Sequence, residues 1–349
     1  MGWRFFRRTK IAPGLTLNLS RAGPSLSMGP RGARMTVGRR GVRRTVGIPG
    51  SGVHYTTQSG WGSSKRTGSA TRTRRSRAAV AQAAAKERLS LGFLDRISIP
   101  RSERDFTEAL RSELAGDDAA ALKHAEQSAS EHPDSAFLAG AIQFKRGRYA
   151  QAEKHFMTAR RSPARLGALY RKYEVRFAVS MPIAQGVWAH LQPTPAGALL
   201  ALAETHQSQG RWRESAKDLE RLHKEQPHDL VVRLSLMELL VEHFGEPRGL
   251  KMAAEMGAGV ENESAIHAGV LYFAGKALRL LDIQTGARDQ LTKSLRRSKD
   301  RPPELLTAAR YERALVYEAL GQRSRSRSEL ERVYAEDPRF EDVAGRLGV

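Results

Sequence analysis

The sequence predicts a multidomain chain: a small all-β segment built as a glycine-rich antiparallel meander, then a long all-α repeat solenoid. Three observations carry this expectation. Glycines recur with a period of nine from Gly14 to Gly50. The excess positive charge is confined to the first quarter of the chain. From Ser102 onward, apolar residues recur at spacings of three and four around a repeated small-residue template.

The glycine ladder sets the first element. Gly14, Gly23, Gly32, Gly41 and Gly50 form one series, and Gly29, Gly38 and Gly47 a second, with Ser20 in its fourth place. Between them lie the runs 15–19, 24–28, 33–37 and 42–46. Alternate positions are apolar (Leu15, Leu17, Leu19, Leu26, Met28, Met35, Val37, Val42, Val46), and those between are polar or basic (Thr16, Asn18, Ser27, Arg34, Thr36, Arg43, Thr45). Side chains alternate faces along a strand, so this pattern gives one apolar and one basic face, with Arg44 interrupting the apolar set. Glycine supplies the positive φ angles of tight hairpins, which predicts about five strands in a meander. A β-solenoid with one coil per nine residues is the alternative. An apolar face of on the order of 400 Å² needs a cover worth roughly 10 kcal/mol. Trp3, Phe5, Phe6, Trp61, a later helix or a second copy could supply it. Neither GxGxxG nor GxxxxGK[ST] occurs, so the glycines read as turn punctuation and not as a phosphate cradle.

The 349-residue chain has a net charge of +21. Residues 1–86 hold 18 Lys and Arg and no Asp or Glu, which leaves 40 basic residues against all 37 acidic ones, a net of +3. Such segregation points to a polyanion or an anionic surface, with a merely solvated basic module as the other reading. The candidate polyanion contacts are Arg31, Arg34, Arg39, Arg40 and Arg43, together with Lys65, Arg66, Arg72, Arg74, Arg75 and Arg77. Free aromatic platforms are scarce, so weak, sequence-independent binding is expected. There is no cysteine, hence no disulfide and no thiolate metal site. No apolar run is long enough for a membrane span and no signal-peptide core is visible, which makes the cytoplasm the default location.

The domain boundaries follow from composition. Residues 1–56 form the basic β-segment. Residues 57–77, rich in Ser, Thr, Gly and Arg, read as a disordered basic linker. Residues 78–349 form the helical region, opening with an alanine-rich helix over 78–91. Ser102 with Asp105 reads as a capping box at the next helix start.

The helical template is glycine, an aromatic, a small residue, a large apolar residue and another small residue, then proline. Gly147, Tyr149, Ala152, Phe156, Ala159 and Pro163 form the fullest copy; Gly210, Trp212, Ser215, Leu219, Leu222 and Pro227 form the second. Weaker copies start at Gly116, Gly286 and Gly321. Segments 165–192 and 230–260 are expected to be degenerate repeats in the same stack, which would give roughly seven helix pairs and no strand. The small residues let helices approach, the large ones fill between repeats and proline ends the second helix.

Two resemblances follow from these residues. Met1-Gly2-Trp3-Arg4-Phe5, Lys10-Ile11-Ala12-Pro13-Gly14, Leu17-Asn18-Leu19-Ser20, Gly41-Val42-Arg43 and the run from Thr45 to Gly52 resemble the bacterial domain-of-unknown-function family 4236, over residues 1 to about 57. Pro24 and the bulky Arg44 depart from that pattern. The family has no assigned activity, so it implies no catalytic residues. The helical template resembles the tetratricopeptide repeat, which implies a curved array binding a peptide or protein segment on its concave face.

Catalytic signatures are missing. The ten histidines form no ligand set: His223 and His228 are five apart, and HExxH and GxSxG do not occur. His124 and His132, near Glu131, fit a repeat boundary. The Ser324–Ser328 serine–arginine run reads as an exposed helix start. The expected function is non-catalytic: a scaffold whose helical repeats hold a protein or peptide partner and whose basic β-segment is a second contact or anchor, with no cofactor and no metal. The alternative is a nucleic-acid- or anionic-surface-associated protein with affinity from residues 1–77. A buried cluster of titratable groups in a cleft would instead favour an enzyme.

Overall fold

The computed structural model describes residues 98–349 in full and, nearer the N-terminus, the backbone of six strands between residues 6 and 59. The chain divides into two compact units, Met1–Ala83 and Ala84–Val349. In the first, β1 (Phe6–Ala12), β2 (Leu15–Ser20), β3 (Gly23–Met28), β4 (Ala33–Gly38), β5 (Gly41–Gly47) and β6 (His54–Ser59) pair antiparallel in chain order. The register sets Leu17 opposite Leu26, Leu26 opposite Val37, and Val37 opposite Val42. Arg34 stands opposite Thr45 and Arg43 opposite Thr36. The glycine ladder marks about five strands; β1 precedes it, and β6 runs into the first residues of the segment read as linker. The helix expected over 78–91, Trp3, Phe5, Trp61, Arg31, Arg39, Arg40 and the tether residues Lys65, Arg66, Arg72, Arg74, Arg75 and Arg77 lie outside the described residues.

The second unit is a stack of helix pairs. The pairs are α1 (Arg101–Ala115) with α2 (Asp118–Ser128), and α3 (Pro133–Lys145) with α4 (Tyr149–Arg160). After a short helix α5 (Ala168–Lys172) come α6 (Pro195–Ser208) with α7 (Trp212–Glu225), and α8 (Leu230–Glu238) with α9 (Pro247–Met256). Then follow α10 (Ala265–Leu280) with α11 (Gln284–Leu295), α12 (Pro303–Ala319) with α13 (Arg323–Glu336), and a terminal α14 (Val343–Leu347). Each pair turns through one residue of positive φ: Gly116, Gly147, Gly210, Gly245, Asp282 and Gly321. Five residues past each turn lie Ala121, Ala152, Ser215, Leu250, Ala287 and Ser326, all buried where the two helices meet.

This spacing corrects the sequence reading at four places. The third copy starts at Asp282, and Gly286 lies inside α11. Asp tolerates the left-handed conformation, so a template that demands glycine misses it. Six pairs are present among the described residues, against the seven expected. Segment 230–260 is a repeat, as expected, with its first helix ending in a π-helical turn, Leu239–Phe244. Segment 165–192 is not a repeat. Ser102 is a buried first-turn residue; Pro100 occupies the N-cap and makes no side-chain cap.

The residues chosen as repeat packing take distinct places. Ala152, Phe156, Ala159 and Leu219 are fully buried. The Phe156 ring lies against Gly140, where an added Cβ would come within 2.8 Å of it, so only glycine fits at that crossing. Phe156 also meets Phe137 edge to face at 5.6 Å. Tyr149 packs on Phe144, and Trp212 stacks on His243 at the margin of the core. Gly147 and Gly210 are the left-handed turns.

Between α4 and α6 the chain leaves the repeat pattern for more than thirty residues. It forms α5 and then the hairpin β7 (Val179–Ala184) and β8 (Val187–Leu191). The turn residues Gln185 and Gly186 both have positive φ, as a tight two-residue hairpin requires. Val179, Met181, Ile183, Val187, Ala189 and Leu191 are buried; Ser180, Pro182, Trp188 and His190 face out. The hairpin packs on α6, α8 and α10, the first helices of three successive pairs. Upstream, Tyr170 meets Phe106 of α1 edge to face at 5.0 Å, and Phe177 meets Phe137 of α3. Downstream, the turn at Gly186 touches Pro302 and Glu304 at the start of α12. One insert therefore touches elements of five of the six pairs directly and reaches the entry to the last. All but one residue of α3 are buried, and α6 and α10 each carry nine buried residues, more than one helix face alone supplies.

Two substitutions check this packing. Ala152→Phe is expected to destabilise the unit by about 1–3 kcal/mol through overpacking, read as a lower midpoint in urea; an unchanged midpoint would remove Ala152 from a close helix contact. Met181→Ala is expected to cost about 2–5 kcal/mol and to split or broaden the unfolding transition of the helical unit relative to wild type. A sharp transition at the wild-type midpoint would mean that the hairpin does not couple the pairs.

Candidate functional site

The first-helix side of the solenoid and the insert that lies on it form the candidate site. The insert is anchored at its root by Asp134, a buried residue in the first turn of α3. Its carboxylate accepts the backbone N–H of Gly167 and, at 2.7 Å, that of Leu169, at the start of α5. Burial pushes the Asp134 carboxyl up, and these two donors pull against that shift. Glu103 of α1 makes a second tie, accepting from Lys172 and from the Tyr173 hydroxyl. Burial opposes its ionisation, but the two donors and the Lys172 charge hold its pKa below the ordinary value.

The hairpin closes the first-helix face at α6, α8 and α10. Removing its buried apolar side chains from their seat would cost roughly 10 kcal/mol at about 1.5–3 kcal/mol for each large one. A micromolar ligand supplies about 8 kcal/mol. A ligand of micromolar affinity therefore does not displace the hairpin from the helices beneath. That outer face carries Trp188, 49% exposed, opposite Pro182, with the Ser180 hydroxyl 2.9 Å from His190 Nδ1. The concave-face site implied by the repeat resemblance is thus filled, along these three helices, by the chain itself.

Two cavities flank the hairpin. A cleft of about 780 Å³ at its root is lined by Tyr170, Arg171, Val175, Arg176, Phe177 and Pro193, among others. A smaller one, about 290 Å³, lies beside its turn, where Gln185 and Ile183 face Glu204, Gln207, Trp212 and Glu238. The second holds the cluster of titratable groups that sequence reading set as the mark of an enzyme. Glu204 is buried in α6 and accepts from the Ser235 hydroxyl and, at 3.2 Å, from the Gln207 amide, which also donates to Ser235 at 3.0 Å. Burial pushes Glu204 well above the carboxylate range. Glu238, one turn beyond Ser235, is pushed up to about 8, first by burial and then by the charge of Glu242. Glu242 is itself paired with Lys276, which bridges at 3.4 Å to Glu312, a partner of Arg279. The hydroxyl in the cluster, Ser235, donates to Glu204, a carboxyl that burial drives toward its protonated form, and the readable consequence of the cluster is for stability.

A second network ties α4 to the next pair. Arg211 donates to both oxygens of Glu153 at 2.7 and 2.8 Å, and His206 lies 3.3 Å from Glu153 and 3.7 Å from Asp218. It bridges the break that the insert makes between neighbouring repeats. His124, His132, His223 and His228 do not converge, and among the described residues no three His, Asp or Glu side chains form a metal-binding group. Ser326, within the serine–arginine run, is buried at the helix contact of the last pair. No helix among the described residues is long and apolar enough to cross a membrane.

Sequence reasoning missed Asp134, Glu204, Glu238 and the hairpin. The hairpin had a signal: Val179, Met181 and Ile183 alternate with polar or proline positions, a Gln-Gly pair follows, and Val187, Ala189 and Leu191 alternate again. The buried acids had none, since nothing local separates them from the solvated Glu of other helices.

Residues 3–56 match the family described as "Protein of unknown function (DUF4236)". The match covers the glycine ladder and stops before the helical unit. No curated protein matches the chain. Among solved structures, the N-terminal domain of the EccA1 ATPase from the ESX-1 secretion system of Mycobacterium tuberculosis is similar at 15% identity, over 71% of this chain and 89% of that one, with a TM-score of 0.50. A thermophilic TPR protein of Thermus thermophilus is 18% identical over 62% of this chain and 97% of its own, with a TM-score of 0.38. The TPR2AB domain of yeast Sti1, in its pHSP90 complex, is 12% identical over 70% and 94%, with a TM-score of 0.25. The helical unit is a tetratricopeptide-like solenoid.

The carboxyl cluster predicts a pH dependence. A carboxyl whose folded pKa is about 8 binds more protons folded than unfolded between its ordinary value near 4.5 and 8. Stability should therefore be highest at the acidic end of that window and fall as pH rises through it, by up to about 1.4 kcal/mol per unit for such a group. Glu238→Gln is expected to raise the melting temperature at pH 8 and to leave it nearly unchanged at pH 5. Parallel melting curves for variant and wild type across this range would reject the raised pKa of Glu238.

Proposed function

We propose that the protein is a non-catalytic interaction scaffold in three parts. Residues 1–56 form a small basic all-β module, 57–77 a basic linker and 78–349 the helical array that engages a protein or peptide partner. The observation that carries this reading is Trp188, a large aromatic side chain half exposed on a hairpin whose other face is locked into the core. A rigid, exposed Trp beside Pro182 is the kind of anchor that dominates protein interfaces, and the solenoid around it offers an extended surface. The tetratricopeptide-like fold supports the reading by analogy alone. A cytoplasmic setting is part of the same proposal.

The test uses full-length protein and Trp188→Ala as baits for cross-linking and mass spectrometry in the native host. A specific partner captured by the wild type and reduced several-fold by the variant, at equal melting temperature, is expected. Identical captures would remove the hairpin face from the interface.

The charge segregation favours a second contact. Residues 1–77 supply 17 basic groups and no acidic one, so the β-module and linker are proposed to hold a polyanion or an anionic surface through Arg31, Arg34, Arg39, Arg40, Arg43 and the tether. If about six charges meet phosphates on duplex DNA, log K should fall against log salt with a slope of about −5. A slope near zero, or no binding to DNA, RNA or anionic vesicles at low salt, would leave the charge as solvation only.

A further inference from the structure

Where the insert leaves α4 and where it rejoins α6, its two ends frame the 780 Å³ root cleft. Residues 160–176 carry six Lys and Arg and one carboxylate, Glu174. Lys172 is engaged with Glu103, and Arg165 reaches His132. Arg171 and Arg176, both exposed, line the cleft, and neither has a hydrogen-bond or ion-pair partner among the described residues. Half-buried Phe177 lines the cleft beside them, with the largely buried Val175 and Pro193.

We propose that this cleft is the docking site for an acidic peptide segment. Its carboxylates would pair with Arg171 and Arg176, and a neighbouring apolar side chain would rest on Val175, Phe177 and Pro193. The proposal rests on the scaffold reading and names the partner chemistry for it. Charge complementarity is the first argument: two unpaired guanidinium groups face solvent in a segment that is otherwise nearly free of carboxylate. Their planar donor fork matches a carboxylate in bidentate geometry.

The second argument is preorganisation. Both walls are already fixed: Asp134 holds the backbone of Gly167 and Leu169, and the Thr194 hydroxyl accepts the N–H of Gly197 at 3.0 Å to cap α6. The backbone of the cleft needs no ordering on binding, which leaves the two arginine side chains as the groups to be ordered. The third is volume. The cleft falls within the range of sites that enclose a small ligand or a few side chains, whereas the hairpin closes the first-helix face beyond it. A nucleic-acid strand fits less well. Phe177 is stacked on Tyr170 at 5.3 Å, which occupies the ring faces a base would need.

The test is fluorescence anisotropy on the full-length chain at about 150 mM salt, where exposed long-range attraction is screened. The probes are a labelled peptide of alternating Glu and Leu, its Gln-for-Glu counterpart and a labelled oligothymidylate of equal length. The Glu peptide is expected to bind about tenfold or more tightly than the Gln peptide, and R171E/R176E to weaken it by at least about tenfold, as loss of charge-assisted hydrogen bonds implies. The N-terminal basic residues are unchanged in that variant, so any binding they add is common to both proteins and cancels. Both arginines are exposed and unpartnered, so the melting temperature should hold. Equal affinity for wild type and R171E/R176E overturns the proposal, as does equal affinity for the Glu and Gln peptides. Displacement of the peptide by oligothymidylate, lost in R171E/R176E, overturns it in favour of a phosphate-backbone site. If the peptide fails while capture remains sensitive to Trp188→Ala, only the cleft assignment falls. If both fail, the scaffold reading falls with it.

Discussion

Asp134 and the two backbone N–H groups it accepts hold the whole insert in place. Gly167 turns there with a φ of +83°, and a Cβ at this position would stand 2.7 Å from the Pro193 carbonyl oxygen. The turn therefore suits only glycine, and its N–H is satisfied by the buried Asp134 carboxylate. Burying a carboxylate is costly unless its oxygens are satisfied, and here the start of α5 supplies the donors. Everything downstream depends on this fixed start. Tyr170 and Phe177 stack into the first two pairs, and the hairpin then lies along α6, α8 and α10.

A repeat solenoid is ordinarily quasi-one-dimensional, because each repeat touches only its neighbours. This one is cross-linked along its length by non-covalent contacts. Glu103, in the first pair, is tied to Lys172 and Tyr173, while the hairpin turn touches Glu304 in the last. The pairs cannot open independently without stripping apolar surface from the insert. Such a frame fixes the backbone from which Trp188, on one face, and Arg171 and Arg176, at the root, project. The same filling closes part of the first-helix face, so along α6, α8 and α10 the surface on offer is the outer face of the insert.

The acids near the hairpin turn show what this burial costs. Glu204 and Glu238 are carried into a region with few compensating cations, and both are driven toward the protonated form. Glu242 and Glu312, a turn or a helix away, share Lys276 and Arg279 and bear their charge in ion pairs. Two solutions to the same problem, neutralisation by a proton and neutralisation by a lysine or arginine, sit side by side on α6, α8 with its π-helical turn, α10 and α12.

The local framework was legible in the order of residues alone. Period-nine glycines with alternating apolar residues, helical spacing after Ser102, and the pattern from Gly147 to Ala159 are short-range signals. Backbone conformation and one-sided burial enforce them wherever they occur. The turn at Asp282 shows the limit of such reading, since a side chain other than glycine can take the left-handed conformation and hide a repeat. Whether segment 165–192 joined the stack or lay across it depended on long-range packing. Its alternation suited a hairpin, but the face it would bury was set by helices far along the chain. The candidate clefts were illegible for the same reason. Arg171, Arg176, Glu204 and Glu238 are ordinary charged residues in sequence; an unpaired guanidinium in a cleft, or a carboxyl forced to keep its proton, exists only once distant elements have removed water and partners from around it.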